Sequence, residues 1–145
     1  MLKFIMLLLI TLTHTKLFAI NNDDYLFHLT NQDNIIALNI NLNPGEYIFW
    51  KHSGQAGHAT SIKCSFSSNV KKYNILWPFP KEKIDQNNDI IYYYDNYVSI
   101  PINLSISDFT KDTTLSLDLE YVVCGNNQCI PMQQNITKTL SITKE

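Results

Sequence analysis

Apolar and polar residues alternate with a period of two along much of the chain. From Leu115 to Tyr121 every second residue is apolar and the residues between are polar, and the same alternation runs from Val98 to Ile106. Successive side chains of a β-strand point to opposite faces of a sheet, so the pattern predicts strands with one buried face. A weaker version of the pattern follows at Ile136, Leu140 and Ile142.

Further short segments with apolar or aromatic enrichment are predicted as strands. They are Ile35 to Leu42, Glu46 to Lys51, Thr60 to Phe66, Tyr73 to Trp77 and Ile90 to Tyr94. Turn-forming stretches such as Asn-Pro-Gly and Ser-Gly-Gln-Ala-Gly separate the strands, and no segment shows a sustained helical period. Seven or more short strands joined in this way predict an all-β fold, an antiparallel β-sandwich.

The most polar stretch, Lys81 to Asn88, is predicted as a loop. It follows Trp77-Pro78-Phe79-Pro80, whose two prolines should stop strand pairing because proline has no N–H to donate to a neighbouring strand.

Residues 1–19 have the features of a secretory signal peptide. Lys3 gives a basic start, an apolar run extends from Phe4 to Leu12, and Leu17-Phe18-Ala19 forms a plausible cleavage site. The run is shorter than the roughly 20 residues that a membrane-spanning helix needs. We expect an exported, soluble product in which residues 20–145 form one domain, with an uncleaved amphipathic anchor as the alternative.

The charge of residues 20–145 argues against a nucleic-acid partner. Nine lysines, thirteen acidic residues and no arginine leave a net charge of −4. Proteins that bind nucleic acids neutralise phosphates with lysine and arginine, and this composition offers no such excess.

Two of the three cysteines, Cys124 and Cys129, have only four residues between them, on a turn-forming Gly-Asn-Asn segment. Such a pair can close a disulfide without help from distant parts of the fold. A loop this small stabilises a fold by roughly 2 kcal/mol, against about 3 to 5 for loops of fifteen to a hundred residues. The spacing therefore favours a working redox pair at an accessible loop, with a structural hairpin disulfide as the alternative.

Three segments, which follow one another along the chain, carry a family resemblance. In Tyr121 to Pro131 an aromatic strand residue precedes the two cysteines and a proline follows the second; Phe49 to Gly57 and Leu76 to Pro80 are the others. Together they resemble the N-terminal periplasmic domain of DsbD-type thiol:disulfide interchange proteins. The resemblance implies an immunoglobulin-like β-sandwich with protein-disulfide reductase activity, which relays reducing equivalents through Cys124 and Cys129.

The resemblance also implies roles and partners. Cys129 would form the mixed disulfide with thioredoxin-like periplasmic proteins, and Cys124 would resolve it. No cofactor or metal is expected, and the product should be a monomer. Relatives usually continue into a membrane domain and a thioredoxin-like domain, neither of which follows here, so we expect a separate membrane electron donor, with a soluble donor as the alternative.

In the relatives a loop folds over the disulfide as a cap, and the matching region here is about Lys83 to Tyr92. Candidate capping residues within it are Ile84, Ile90, Ile91 and Tyr92.

Several neighbouring residues have predicted supporting roles. Tyr121 either packs against the cysteine loop or belongs to the core, while Pro131 fixes φ just past Cys129. Cys64 shares a strand face with Ile62 and Phe66 and is expected to be a buried, inert thiol.

Outside the cysteine loop, the tight loop with Gly54 and Gly57 is interpreted as structural, in the half of the fold away from the cysteines. Trp50 and Trp77 are interpreted as core residues.

A binding module is the alternative from another functional class. It would be an interaction domain with a structural disulfide, or a Cu(I) chaperone, because sulfur and imidazole ligands suit Cu(I). The ligands would come from His52, His58, Met132 and the two cysteines, although their spacing matches no diagnostic pattern.

Overall fold

The computed structural model describes residues 34–140, and nine β-strands make up the regular structure of that range. They are β1 (Ile35–Asn41), β2 (Tyr47–Gly54), β3 (Ser61–Phe66), β4 (Val70–Ile75), β5 (Lys81–Ile84), β6 (Ile90–Asp95), β7 (Tyr97–Ile106), β8 (Thr113–Gly125) and β9 (Gln128–Leu140). The prediction of an all-β chain is confirmed.

The strands form two antiparallel sheets, which makes the fold the predicted sandwich. One sheet has three strands in the order β1-β7-β4. The other has the order β3-β8-β2-β6-β5, with β9 also paired to β8. The alternating apolar residues of β1, β7 and β8 meet between the sheets, and the fully buried side chains there include Leu38, Ile100 and Leu117. The period-two pattern therefore encodes the core.

The β8–β9 hairpin is the longest pairing of the fold. Its register runs from Thr113 opposite Leu140 to Gly125 opposite Gln128, which leaves Asn126 and Asn127 as a two-residue turn. Both asparagines have positive φ, 50° and 60°. This left-handed conformation at both positions is what a type I′ turn requires, and asparagine tolerates it better than most residues.

The structure corrects two of the predicted boundaries. The stretch Lys81 to Asn88 is not all loop, because Lys81–Ile84 pairs with β6 and only the residues after it form a turn. The strand expected at Tyr73 to Trp77 instead covers Val70–Ile75. Residues 76–80 have no regular structure. This confirms the interruption predicted at the two prolines, whereas Leu76 and Trp77, predicted as the end of a strand, lie outside it.

The signal peptide predicted for residues 1–19 and the apolar position Ile142 lie outside the described residues. Between residues 34 and 140 there is no helix with the length and apolar character needed to cross a membrane.

Candidate functional site

Cys124 and Cys129 form a disulfide at the end of the β8–β9 hairpin. They are directly opposed residues of the two strands, one position before the pair that closes the turn. Their Cα atoms are 4.1 Å apart, close to the separation of the narrow, non-hydrogen-bonded pairs in an antiparallel ladder. The bond therefore joins neighbours that the hairpin already holds together.

The two cysteines differ in their accessibility. Cys124 is 1% exposed, whereas Cys129 is exposed on the edge strand β9. The expectation of two cysteines in an accessible loop is thus wrong for Cys124, which lies inside β8. Strand β8 continues through Val122 and Val123 beyond the predicted end at Tyr121. The disulfide is therefore exposed to solvent chiefly at Cys129.

Cys124 is buried by a small apolar cluster on the outer face of the six-stranded sheet. The cluster contains Phe49, Ile91, Val122 and Cys124, and Tyr47 and Ala56 pack against it. It is separate from the core between the sheets, to which the alternate β8 residue Tyr121 belongs. Val122 and Val123, which precede Cys124 in β8, are both apolar because the strand is covered on both faces there.

A cleft of about 570 Å³ opens beside the disulfide. Both cysteines line it, as do Tyr47, Lys83, Ile84 and Ile91. The expected cap region, Lys83 to Tyr92, therefore forms one wall of the cleft as the β5–β6 hairpin. Of the candidate capping residues, Ile91 is 2% exposed and Ile84 is 66% exposed, while Ile90 and Tyr92 do not line the cleft.

Aromatic rings lie at this cleft, and those of Tyr47 and Phe49 belong to residues that line it. Tyr47 pairs with Cys124 across strands β2 and β8. Its ring centroid is 5.6 Å from that of Phe49 and 5.4 Å from that of Tyr93. The ammonium of Lys83 lies 3.4 Å from the Tyr47 centroid and 4.7 Å from the Tyr93 centroid. Such cation–π contacts hold the β5 strand against the sheet beside the disulfide.

Burial in the cleft shifts the pKa values of Lys83 and Tyr47. It lowers the pKa of Lys83, and Asp95 and Asp85 partly oppose that effect. It raises the pKa of the Tyr47 hydroxyl, to which Asp85 and Tyr93 add. In both cases partial burial is the largest cause, because desolvation disfavours the charged form.

The glycine-containing loop after β2 also belongs to this site, contrary to its predicted position in the other half of the fold. Ala56 and Gly57 line the cleft. Gly57 has a φ of +92° and lies so close to the ring of Phe49 that no Cβ would fit between them. The Gln55 side chain accepts a hydrogen bond from Ile90 N at 2.8 Å, which joins the loop to β6.

Three other predicted residues have clear structural positions. Tyr121 is a core residue, 1% exposed, and Gln134 donates a 3.4 Å hydrogen bond to its hydroxyl. Pro131 lies on the edge strand β9 opposite Val122, at a position where the strand loses no N–H donor to β8. Cys64 is a free, partly buried cysteine of β3, and burial raises its pKa to about 11, which keeps it a neutral thiol at pH 7.

The residues weighed for copper binding do not form one site. His58 and Met132 line a second cleft, of about 350 Å³, whose lining also includes Val122 and Pro131. His52 instead packs its ring against Trp50, with centroids 5.4 Å apart. Nowhere in residues 34–140 do three or more histidine, cysteine, aspartate or glutamate side chains form a group that could hold a metal ion.

Comparison with known proteins identifies relatives of this architecture. A family model described as the N-terminal part of the thiol:disulfide interchange protein DsbD matches residues 18–141. The N-terminal periplasmic domain of ScsB from Proteus mirabilis is 26% identical, with a TM-score of 0.55, over 74% of this chain and 40% of that one. The chain thus spans less than half of that relative's length.

The N-terminal domain of DsbD from Neisseria meningitidis, in its reduced form, has a TM-score of 0.51 at 12% identity, over 82% of this chain and 87% of that one. This likeness confirms the predicted immunoglobulin-like sandwich. No curated protein sequence matches the chain.

Proposed function

Because the chain belongs to the family of DsbD-type N-terminal domains, which makes it a thiol–disulfide exchange domain, we propose that Cys124 and Cys129 are its redox-active pair. In this proposal the pair relays reducing equivalents to thioredoxin-like client proteins. A membrane protein supplies them, and the exchange takes place in the periplasm.

The unequal exposure of the two cysteines is the observation that carries the proposal. Exchange requires a thiolate to approach a disulfide sulfur in line, and only Cys129 offers such an approach. The donor thiolate attacks Sγ of Cys129, a new S–S bond forms, and the electron pair of the broken bond leaves on Sγ of Cys124. A second donor thiolate then attacks the donor's own sulfur and releases reduced Cys129.

Delivery to a client follows the same path in reverse. The Cys129 thiolate attacks the client disulfide, and one client sulfur leaves as a thiolate. Cys124 then attacks Sγ of Cys129, which restores the intramolecular disulfide and releases the second client thiolate. The 4.1 Å Cα separation supports this resolving role, since the buried sulfur is already in position to close the bond.

Trapping of the mixed disulfide tests the assignment. Reduced Cys124→Ala, mixed with an oxidised thioredoxin-like protein, should accumulate a covalent complex on non-reducing gels because no resolving thiolate remains. Cys129→Ala should give none, since Cys124 is out of reach. The variant Cys64→Ala should resemble the unmodified protein.

Two results would overturn the proposal. Trapping by Cys129→Ala alone would reverse the two roles. Complex formation that is lost only in Cys64→Ala would mean that another cysteine pair performs the exchange.

A further inference from the structure

Among the described residues that line the cleft with the disulfide, Lys83 is the only cationic one. Both cysteines line the same cleft. The Lys83 ammonium lies over the ring of Tyr47, and Tyr47 is the residue of β2 that pairs with Cys124 of β8. A positive charge therefore lines the same cleft as the disulfide, at which exchange creates a negative charge.

The acidic groups around the cleft make their closest contacts with other groups, although the charges of Asp85 and Asp95 also act on Lys83. Oδ1 of Asp85 accepts hydrogen bonds from the N–H groups of Asn87 and Asp89 at 2.8 and 3.0 Å. Asp95 is ion-paired with Lys81 at 2.6 Å, and the Glu46 carboxylate accepts from Asn43. Neither of the two salt bridges found within residues 34–140 includes Lys83. Its ammonium rests on two aromatic rings instead, where an anion could compete for it.

We propose that Lys83 is a charge-stabilising residue of the exchange reaction, which holds its ammonium in the cleft to favour the thiolate of Cys129. The inference rests on the proposed function, because it assigns a role in that same reaction. When the disulfide is reduced, the Cys129 sulfur gains an electron pair, and the ammonium gains an anionic partner in a site that is partly shielded from water. The ring contacts of Tyr47 and Tyr93 keep the ammonium in place until then.

The acidity of Lys83 is consistent with this arrangement. Its pKa is lowered chiefly by desolvation, so the ammonium is under-solvated and would be stabilised by a nearby anion. The effect is reciprocal: a thiolate that raises the pKa of Lys83 has its own pKa lowered equally. A nearby opposite charge shifts a pKa by roughly one to three units, and the low end applies to a cleft open to solvent.

The pKa of Cys129 can be measured directly by the pH dependence of its alkylation. In a Cys64→Ala, Cys124→Ala background Cys129 is the only thiol of the chain. We expect Lys83→Met to raise the midpoint by about one unit. At pH 7 the alkylation rate should fall about three- to fourfold, since the tenfold smaller thiolate fraction is partly offset by a more nucleophilic sulfur.

Lys81→Met is the matched control. Lys81 lies two positions earlier on β5, on the same face, but pairs with Asp95 and does not line the cleft. Lys81→Met should leave the alkylation midpoint of Cys129 unchanged, and Lys83→Arg should keep it near the value of the background protein. Lys83→Gln gives a second neutral variant should Lys83→Met lose the β-sheet circular dichroism spectrum.

The outcomes separate three explanations. An unchanged midpoint in Lys83→Met, or an equal shift in Lys81→Met, would overturn the proposal. A faster reaction at every pH with no shift in the midpoint would mean that Lys83 only packs the β5–β6 hairpin, and would overturn it as well. The assay uses no partner protein, so failure of the trapping experiment would refute the exchange function without deciding the role of Lys83.

Discussion

Substitution of Gly57 by alanine should destabilise the domain through one identified clash. An added Cβ would lie closer than 3.0 Å to three atoms of the Phe49 ring, and the φ of +92° is itself unfavourable for alanine. The backbone conformation costs about 1 to 2 kcal/mol, and forcing the ring aside in a packed cluster adds about 1 to 3 kcal/mol. We expect a total loss of about 2 to 5 kcal/mol in the free energy of unfolding.

Gly45→Ala separates these two contributions. Gly45 has a comparable φ of +84°, but nothing lies within 4 Å of its added Cβ, so only the backbone cost applies. Urea unfolding followed by circular dichroism, with the disulfide intact, measures both variants. A difference of about 2 kcal/mol corresponds to roughly 1 M in the urea midpoint for a slope near 2 kcal/mol/M.

A double-mutant cycle with Phe49→Leu tests the cause. With the ring gone, Gly57→Ala should cost little more than Gly45→Ala. Equal destabilisation by the two alanine variants in the unmodified domain would refute the reasoning. An unchanged cost of Gly57→Ala in the Phe49→Leu background would refute it independently.

Two further predictions concern the cysteines. Reduction with dithiothreitol should leave the β-sheet spectrum unchanged at room temperature and lower the urea midpoint by about 1 M, because the short loop contributes only roughly 2 kcal/mol; unfolding on reduction would indicate a structural bond. In the oxidised protein Cys64 is the one free thiol of the chain, and its alkylation should have a midpoint near pH 11. Because its pKa is raised in the folded protein, Cys64 contributes stability below about pH 9 that is lost as the pH rises through 11. In Cys64→Ala this part of the decrease in the free energy of unfolding should be absent. An alkylation midpoint near 8.5 would contradict the burial of Cys64.

The strands with one buried face could be predicted from the sequence. In β7 and β8 a single apolar series points between the sheets, so alternation locates them within a residue or two at most ends. Strand β5 could not be predicted in this way. Its sequence, Lys-Glu-Lys-Ile, has no apolar alternation, and the strand exists because its backbone pairs with β6 at the edge of a sheet.

The site was only partly predictable for a related reason. The spacing of Cys124 and Cys129 indicates a hairpin disulfide, but the burial of Cys124 depends on Phe49 and Ile91, which come from strands β2 and β6. The run Val122-Val123-Cys124 gives a local signal for this burial, since consecutive apolar residues suit a strand covered on both faces. The position of the Gly57 loop beside the disulfide depends on its contact with Phe49, which no local pattern specifies.

The exposure of Cys129 alone has a consequence for the kinetic scheme by which the domain transfers electrons. If both partners react at Cys129, donor and client compete for one docking position, and no ternary complex of the three proteins can carry out transfer. Turnover would then follow a ping-pong scheme, in which the domain departs from one partner before it meets the other. An excess of either partner would therefore inhibit the reaction with the other partner competitively.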